Sequence, residues 1–395
     1  TPLSSSAASD VYKRQKYFTK MIELLQKLIR IKSISPADMG CFDLIEDELK
    51  KLNFQCERIN YQNVENLYAT IGHSGKLFCY LGHTDVVPSG PEEKWSYPPF
   101  SGTIDGDVLY GRGAADMKSS VVAFIEAAKD FINANEKLNF RLAILLTSNE
   151  EGTSKDGFID KIIKKMIDNN EIIDFCLVGE PTSSEKVADC ARIGRRGSLG
   201  GCLKIYGKQG HVAYPEKVIN PILLSGELIS KLKSKIWDNG NDAFDPTSFQ
   251  ISNISSGTGA HNVVPGELEL TFNFRFSTES TEESLKSEFE SIIKSLGLDY
   301  DLSWDLNGNP YYTKEDFFKE IVSTSSEEIT GYRPELNAKG GTSDGRFVAA
   351  MNTEIVELGP VNKSIHQIDE HVSISELWKL KDIYKRILIN LNQSL

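Results

Sequence analysis

The segment "KLFCYLGHTD" at residues 76–85 is an apolar run of strand length that ends abruptly in a histidine and an aspartate. Two similar apolar runs follow at 140–147 and 174–179, and amphipathic helical patterns at 117–135 and 157–168 separate them. Continuous apolar strands that alternate with helices are typical of a mostly parallel sheet covered on both faces. The sequence therefore predicts an α/β domain built around this segment.

The pattern changes after Arg196. The segment "LELTFNFRF" at 268–276 alternates strictly between apolar and polar residues, which predicts a strand with one buried and one solvated face. With its neighbours it gives the order β-α-β-β-α-β, which is typical of a ferredoxin-like α+β domain. We therefore predict such a domain at 197–308, inserted into an α/β domain formed by 16–196 and 309–395.

Composition excludes several classes of protein. The chain carries 44 basic and 56 acidic side chains, a net charge of −12, which argues against a nucleic-acid or anionic-membrane surface. No window approaches the ~18 consecutive apolar residues of a membrane span. The six cysteines are scattered without a CxxC pair, which is typical of reduced thiols. We expect a soluble, cytoplasmic protein.

Residues 1–15 differ from the rest of the chain. They are polar, contain no apolar segment of the kind found in signal peptides, and include "DVYKRQ", which resembles a translated sequencing adapter. We expect these residues to be a non-native leader, a hypothesis that resequencing of the source gene without adapters would test.

Polar side chains follow several of the predicted strands at the points where the strands end. Because the carboxyl ends of parallel strands line one crevice of a sheet, we expect these side chains to converge there. A mixed set of imidazoles and carboxylates suits zinc, with manganese or cobalt as replacements. The set comprises His83, Asp85, Asp116, Glu150, Glu151, Glu180 and His366.

Each of these signals has a second interpretation. The His83–Asp85 spacing fits a polar turn, or a carboxylate that accepts a hydrogen bond from a metal-binding imidazole. Glu150 and Glu151 fit solvated charge, or a general base beside a metal ligand. His211, behind Gly210 in the inserted domain, is only weakly predictive by its residue type and position. Convergence of several acidic loops at one sheet edge favours the metal-binding interpretation for the first two.

The motifs along the chain resemble the zinc-dependent aminoacylase/carboxypeptidase (M20) metallopeptidase family. They include "GHTDVVPSG", "GRGAADMKSS", "NEEG", "VGEPTS", "GKQGHVAYP", "GGTSDGRF" and "IHQIDE", in that order. The resemblance implies two zinc ions. It implies that His83, Asp116 and Glu180 bind one zinc and that Glu151, Asp116 and His366 bind the other. Asp116 would bridge them, with a cis peptide bond after it.

The resemblance also implies the remaining roles. Glu150 corresponds to the general base, and Asp85 to the carboxylate that orients the histidine ligand. The inserted domain corresponds to a dimerisation domain, whose His211 stabilises an oxyanion in the partner subunit's active site. Side chains expected to bind the substrate's carboxylates and amide are Arg195, Tyr214, Asn262, Arg275, Gly341, Thr342 and Ser343.

Two rival functions remain open at this stage. One is a related deacetylase or aminoacylase, which would share the scaffold and the metal ligands. The "GRRGS" and "GGTSDGR" segments instead favour a small-molecule substrate with a distal carboxylate. The other rival is a catalytically inactive, metal-stabilised binding protein, which predicts a broken ligand set or a missing base. Here every expected ligand and Glu150 are present.

Overall fold

The computed structural model of the protein describes residues 20–134, 137–152 and 158–395. The predicted leader, residues 1–15, lies outside the described residues. The helices are α1 (20–30), α2 (Cys41–Lys50), α3 (Ser119–Ala134), α4 (Ile159–Asp168), α5 (Pro221–Ser234), α6 (Glu282–Ser295), α7 (Phe317–Thr330), α8 (Gly345–Val348) and α9 (Ile374–Ser394). Within these ranges, none of the helices is long and apolar enough to span a membrane.

The described strands include a counterpart for each of the three apolar runs at 76–85, 140–147 and 174–179. They are β1 (Gln55–Arg58), β2 (Asn66–Ile71), β3 (Leu77–His83), β4 (Thr103–Asp105), β5 (Val108–Tyr110), β6 (Arg141–Thr147), β7 (Phe175–Val178), β8 (Cys190–Arg192), β9 (Gly194–Arg195), β10 (Gly197–Tyr206), β11 (Gly210–His211), β12 (Ser248–Ser256), β13 (Val263–Val264), β14 (Glu267–Phe276), β15 (Tyr300–Gly308), β16 (Tyr311–Tyr312), β17 (Glu335–Asn337), β18 (Glu354–Glu357) and β19 (His371–Ser373).

The chain divides into two compact units. The α/β unit comprises the described residues up to Ile193 together with Thr313–Asn337 and Ser343–Leu395. The inserted unit comprises Gly194–Tyr312 and Ala338–Thr342. The bounds of the inserted unit extend beyond the predicted 197–308, and the short segment 338–342 clusters with it although the sequence placed that segment in the α/β domain.

The α/β unit is built on an eight-stranded sheet in the order β1-β2-β6-β3-β7-β18-β8-β17. Strand β3 runs parallel to β6 and to β7, and β18 runs parallel to β7. Every residue of β3 is buried, and its Phe78 and Tyr80 pack against Phe124 of α3. This arrangement confirms the predicted α/β fold with a mainly parallel central sheet.

The inserted unit contains a four-stranded antiparallel sheet in the order β12-β14-β10-β15. With α5 after β10 and α6 after β14, this is the ferredoxin-like arrangement. The alternating residues of β14 place Leu268, Leu270, Phe272, Phe274 and Phe276 in the core of the unit. The strict alternation of apolar and polar residues in β14 thus determines which face of the strand is buried and, with it, the pairing register.

A large loss of stability in the inserted unit is expected from Phe272→Ala. The Phe272 ring stacks on Phe289 with centroids 4.5 Å apart and meets Trp304 edge-on at 5.3 Å. Truncation should lower the free energy of unfolding of this unit by about 3–5 kcal/mol, because it leaves a cavity that the packed rings cannot fill. Hydrogen exchange of the buried amides of β14 measures this loss. Ile236→Ala, at a side chain 72% exposed, is the control and should change it by less than about 0.5 kcal/mol. An equal effect of both variants would contradict the packing assigned to Phe272.

Candidate metal centre

Side chains from four neighbouring strands converge at one edge of the eight-stranded sheet. His83 is the last residue of β3, Glu151 follows β6, Glu180 follows β7, and His366 lies in the loop after β18. The strands β6, β3, β7 and β18 are adjacent and parallel, so their carboxyl ends lie side by side. The sheet therefore brings together residues that are up to 283 positions apart in the sequence.

Asp116 lies between the two histidines. Its Oδ1 is 3.2 Å from Nε2 of His83, and its Oδ2 is 3.4 Å from Nε2 of His366. Each oxygen of one carboxylate thus faces a different imidazole. The peptide bond between Asp116 and Met117 is cis, as the family resemblance implied.

Each histidine has a second carboxylate of its own. The Oε1 atom of Glu180 lies 3.7 Å from Nε2 of His83, and Oε1 of Glu151 lies 2.7 Å from Nε2 of His366. The atoms therefore form two adjoining groups that share Asp116. Ligand atoms of His83, Asp116 and Glu151 also lie within 4.8 Å of one another, as do those of His83, Glu150 and Glu180.

The negative charges of the carboxylates in this cluster favour the binding of cations. The hydrogen bonds to Asp116 and Glu151 raise the pKa of His366 to about 10. Burial lowers the pKa of His83, but its contacts with Asp116, Asp85 and Glu180 raise it more, so that it lies well above the usual range. A carboxylate that is removed from water is costly to ionise unless a positive charge lies close to it. Imidazole nitrogens and carboxylate oxygens in this number fit divalent cations, which would replace the protons on the two histidines.

Glu150 lies at the rim of the same cluster. Burial raises the pKa of its carboxyl well above the usual range, and the negative charge of Asp344 adds to the effect. The pKa of Asp344 is itself raised to about 6, mainly by burial. A carboxylate within reach of His83 and Glu180, next to Glu151 in the chain, is placed to accept a proton from a water molecule in the cluster.

Asp85 makes a different contact from the one predicted. The Nδ1 atom of His83 lies 3.0 Å from the backbone carbonyl oxygen of Asp85 but 3.6 Å from its nearer carboxylate oxygen. The backbone carbonyl therefore accepts the imidazole hydrogen bond, since 3.6 Å is too long for one. The carboxylate instead accepts the backbone N–H groups of Glu150 at 3.1 Å and Glu151 at 3.0 Å. Asp85 thus holds the loop that presents both glutamates.

Two further buried residues support the turn that carries Asp116. Glu370 accepts the backbone N–H groups of Ala115 and Asp116, and its other oxygen pairs with Arg112. Neither Glu370 nor Arg112 was singled out from the sequence. Glu370 is the last residue of the motif "IHQIDE", and Arg112 is the second residue of "GRGAADMKSS". A charged residue within each quoted motif was the signal that could have found them.

The inserted unit contains almost all of the predicted substrate-binding residues. His211 is exposed, and its Nδ1 accepts the backbone N–H of Ala213 at 3.1 Å, so the neutral ring carries its proton on Nε2. The Val212 N–H donates to the carbonyl of Asn262 at 3.1 Å, so the backbone brings His211 and Asn262 together. The predicted substrate-binding residues in this unit are Arg195, Tyr214, Asn262, Arg275, Gly341 and Thr342, and the predicted oxyanion donor His211 lies in the same unit.

Two members of this set are held by the structure in ways the sequence did not predict. Arg195 is buried, and its Nη1 donates to the carbonyl of Lys339 at 3.3 Å, beside the segment that contains Gly341. Ser343 belongs to the α/β unit, is fully buried, and donates its hydroxyl hydrogen to Glu357. Ser343 thus has a hydrogen-bond partner within the α/β unit, and its contact with substrate stays a prediction.

A cluster of histidines and carboxylates at the carboxyl edge of a mainly parallel sheet is the kind of site that metal-dependent hydrolases use. The chain belongs to peptidase family M20/M25/M40, whose family model matches residues 79–390. Solved structures agree with this assignment at the level of the fold. An M20 family metallo-carboxypeptidase from Sulfolobus solfataricus is 18% identical, covers 95% of this chain and 99% of its own, and superposes with a TM-score of 0.80. A dinuclear metal-binding peptidase of the M20 family from Bacillus subtilis is 14% identical, covers 96% of this chain and 100% of its own, and has a TM-score of 0.72.

Curated relatives are much more similar in sequence. A protein of Hydrogenovibrio crunogenus named succinyl-diaminopimelate desuccinylase is 50% identical over 375 residues, which cover 94% of this chain and 99% of the relative. A protein of the same name from Methylococcus capsulatus is 49% identical over 370 residues, 94% of this chain and 98% of the relative. The similarity thus spans both units.

Proposed function

We propose that the protein is a succinyl-diaminopimelate desuccinylase of lysine and diaminopimelate biosynthesis. It hydrolyses the amide of N-succinyl-LL-2,6-diaminopimelate and releases succinate and LL-2,6-diaminopimelate. The observation that carries this proposal is the identity of about half of all residues, over nearly the full length, with relatives of that name. We expect the reaction to take place in the cytoplasm, in keeping with six cysteines that are all free thiols.

The proposed cofactor is a pair of zinc ions, for which cobalt or manganese could substitute. His83, Asp116 and Glu180 would hold one ion, and Glu151, Asp116 and His366 the other, in keeping with the two adjoining groups that share Asp116. When bound, such ions polarise an amide carbonyl and lower the pKa of a water molecule.

The protein's own groups would carry the proton transfers. The Glu150 carboxylate accepts a proton from the attacking water, whose oxygen bonds to the amide carbon. The same carboxyl group then delivers that proton to the nitrogen as the carbon–nitrogen bond breaks, which releases a neutral amine. Asp85 keeps Glu150 in place through its backbone N–H. In the proposed dimer, the Nε2–H of His211 from the other copy would donate to the carbonyl oxygen as negative charge develops on it.

The substrate's carboxylates would be recognised by the inserted unit. A guanidinium group presents paired N–H donors that match the two oxygens of a carboxylate. Arg195 and Arg275 are the candidates for this task, and Tyr214, Asn262, Gly341 and Thr342 lie in the same unit. A succinyl group differs from an acetyl group by the distal carboxylate that such arginines bind.

We further propose that the inserted unit forms a homodimer. Strand β12 is an edge of the four-stranded sheet, and its last five residues are exposed. Helix α5 of the same unit exposes Ile222 by 45% and Leu223 by 76%. An unpaired strand edge and exposed apolar side chains are features that a second copy would cover.

The proposed reaction predicts a clear preference between two substrates. The zinc-loaded protein should hydrolyse N-succinyl-LL-diaminopimelate with a kcat/KM at least about 10²-fold above that for N-acetylornithine, because the second lacks the distal carboxylate that Arg195 and Arg275 are proposed to bind. Chromatographic measurement of the released succinate or acetate at matched substrate concentrations gives both rates.

Each other outcome of that assay has a distinct meaning. Preference for N-acetylornithine would keep the hydrolase but assign it to a related deacetylase. Hydrolysis of neither compound by protein that binds two zinc ions would contradict the proposed reaction and favour a binding protein.

A further inference from the structure

A buried ion pair lies directly behind the proposed metal ligands. The Nη1 atom of Arg112 is 2.6 Å from Oε2 of Glu370, and the side chains are only 3% and 0% exposed. Neither residue belongs to the proposed ligand set. A buried ion pair contributes little net stability compared with apolar residues of similar size. We therefore expect this pair to have a role other than stabilising the fold.

The carboxylate of Glu370 holds the turn that presents Asp116. Its Oε1 accepts the backbone N–H groups of Ala115 at 2.9 Å and Asp116 at 3.0 Å. The backbone carbonyl of Glu370 also accepts the N–H of Gly111 at 2.8 Å. Both the side chain and the backbone of Glu370 are therefore attached to the segment before Asp116.

Arg112 extends this connection to two more loops of the centre. Its Nη2 lies 3.4 Å from the carbonyl oxygen of Pro88, in the loop after His83, and 3.5 Å from the carbonyl oxygen of His366. The guanidinium carbon sits 5.2 Å from the ring centroid of Trp95, which fixes the plane of the group. The pair thus links the backbones of Asp116 and His366, residues 250 positions apart.

We propose that Glu370 is a positioning residue for the metal centre, and that Arg112 is its partner. Together they fix the backbone of Asp116 relative to that of His366, and so set the affinity of the cation shared by Asp116, Glu151 and His366. The cation held with His83 depends on them less, because only Asp116 among its proposed ligands is attached to the pair. Its other two ligands, His83 and Glu180, are placed by the ends of β3 and β7. The inference rests on the two-metal centre of the proposed function.

The test is a metal titration of the full-length protein. Apo protein is titrated with Co²⁺ against a chromophoric competing chelator, and the visible absorption of bound Co²⁺ is recorded at each equivalent. We expect E370A to bind the second equivalent about 10–100-fold more weakly than wild type and to alter its spectrum, while the first changes by less than about threefold. E370Q keeps an oxygen that can accept the two backbone N–H groups and should recover part of the loss.

A matched variant separates positioning from general stability. Asp238 in the inserted unit accepts the backbone N–H groups of Gly240 at 2.8 Å and Thr247 at 2.9 Å, so D238A removes an equivalent support far from the ligands in sequence. D238A is expected to lower the melting temperature and leave both Co²⁺ affinities unchanged. Equal weakening of the second equivalent in D238A and E370A would overturn the inference.

The remaining outcomes are also decisive. Wild-type affinity for both equivalents in folded E370A would overturn the role of Glu370 and leave the proposed function intact. Should E370A not fold, the double variant R112M/E370L takes its place, because apolar side chains of similar size can replace a buried ion pair without loss of stability. Leucine cannot accept the two backbone N–H groups, so unchanged Co²⁺ binding and spectrum in that variant would likewise overturn the inference. Failure of wild type to bind two equivalents would instead contradict the proposed metal centre itself.

Discussion

Replacing Glu150 with glutamine should lower kcat for the succinyl substrate by about 10²–10⁴-fold, the usual contribution of a general base. The amide has the size and shape of the carboxyl group but cannot take the proton of the attacking water. Glu150 is not among the ligands proposed for either zinc ion, so the variant should keep both metals. Asp85 should still hold the loop, because its contact is to the Glu150 backbone.

Glu151→Gln is the matched control for this variant. It makes the same chemical change at the neighbouring position, where Oε1 of Glu151 lies 2.7 Å from His366. It should lose affinity for one zinc ion, whereas Glu150→Gln should not. Zinc content by atomic absorption and kcat by amine release distinguish the two. A near-normal kcat for Glu150→Gln, or the loss of a metal in both variants, would refute the separation of base and ligand.

The position of the proposed metal ligands could be predicted because it follows from sheet topology. The apolar run that ends at His83 had to be a buried strand, and its parallel neighbours had to end at the same edge. Glu151 and Glu180 occupy the equivalent places after β6 and β7. Such an inference needs only strand direction, which the apolar strands and their helical connections predict, whereas the order of the strands is known from the structure.

The contacts behind those ligands could not be predicted because they depend on exact backbone geometry. Sequence spacing could not reveal that the carbonyl of Asp85, rather than its carboxylate, accepts the hydrogen bond from His83. Nor could it reveal that Glu370 reaches the amide of Asp116, 254 residues away. Ser343 shows the same limit, since its burial against Glu357 depends on how the loop before α8 packs.

His211→Ala should lower kcat by about 10²–10³-fold while leaving folding and zinc content unchanged. This is the loss that removal of one oxyanion donor produces. The side chain is exposed and lies in the inserted unit, so its truncation leaves no cavity and touches no proposed metal ligand. Its Nε2–H is the available donor, because Nδ1 accepts the N–H of Ala213. His211→Gln should recover part of the rate, since a glutamine amide can donate a hydrogen bond.

The strongest test of the role of His211 combines two inactive variants. If His211 of one copy serves the active site of the other, a mixed dimer of Glu150→Gln and His211→Ala chains contains one site with both residues intact. Unfolding and refolding an equimolar mixture gives random pairing, so activity should return to about a quarter of the wild-type value in a twofold-symmetric dimer. The same treatment of each variant alone is the control and should restore nothing. If His211 served its own chain's site, no mixed dimer would contain an intact site, and an inactive refolded mixture of dimers would contradict the trans arrangement.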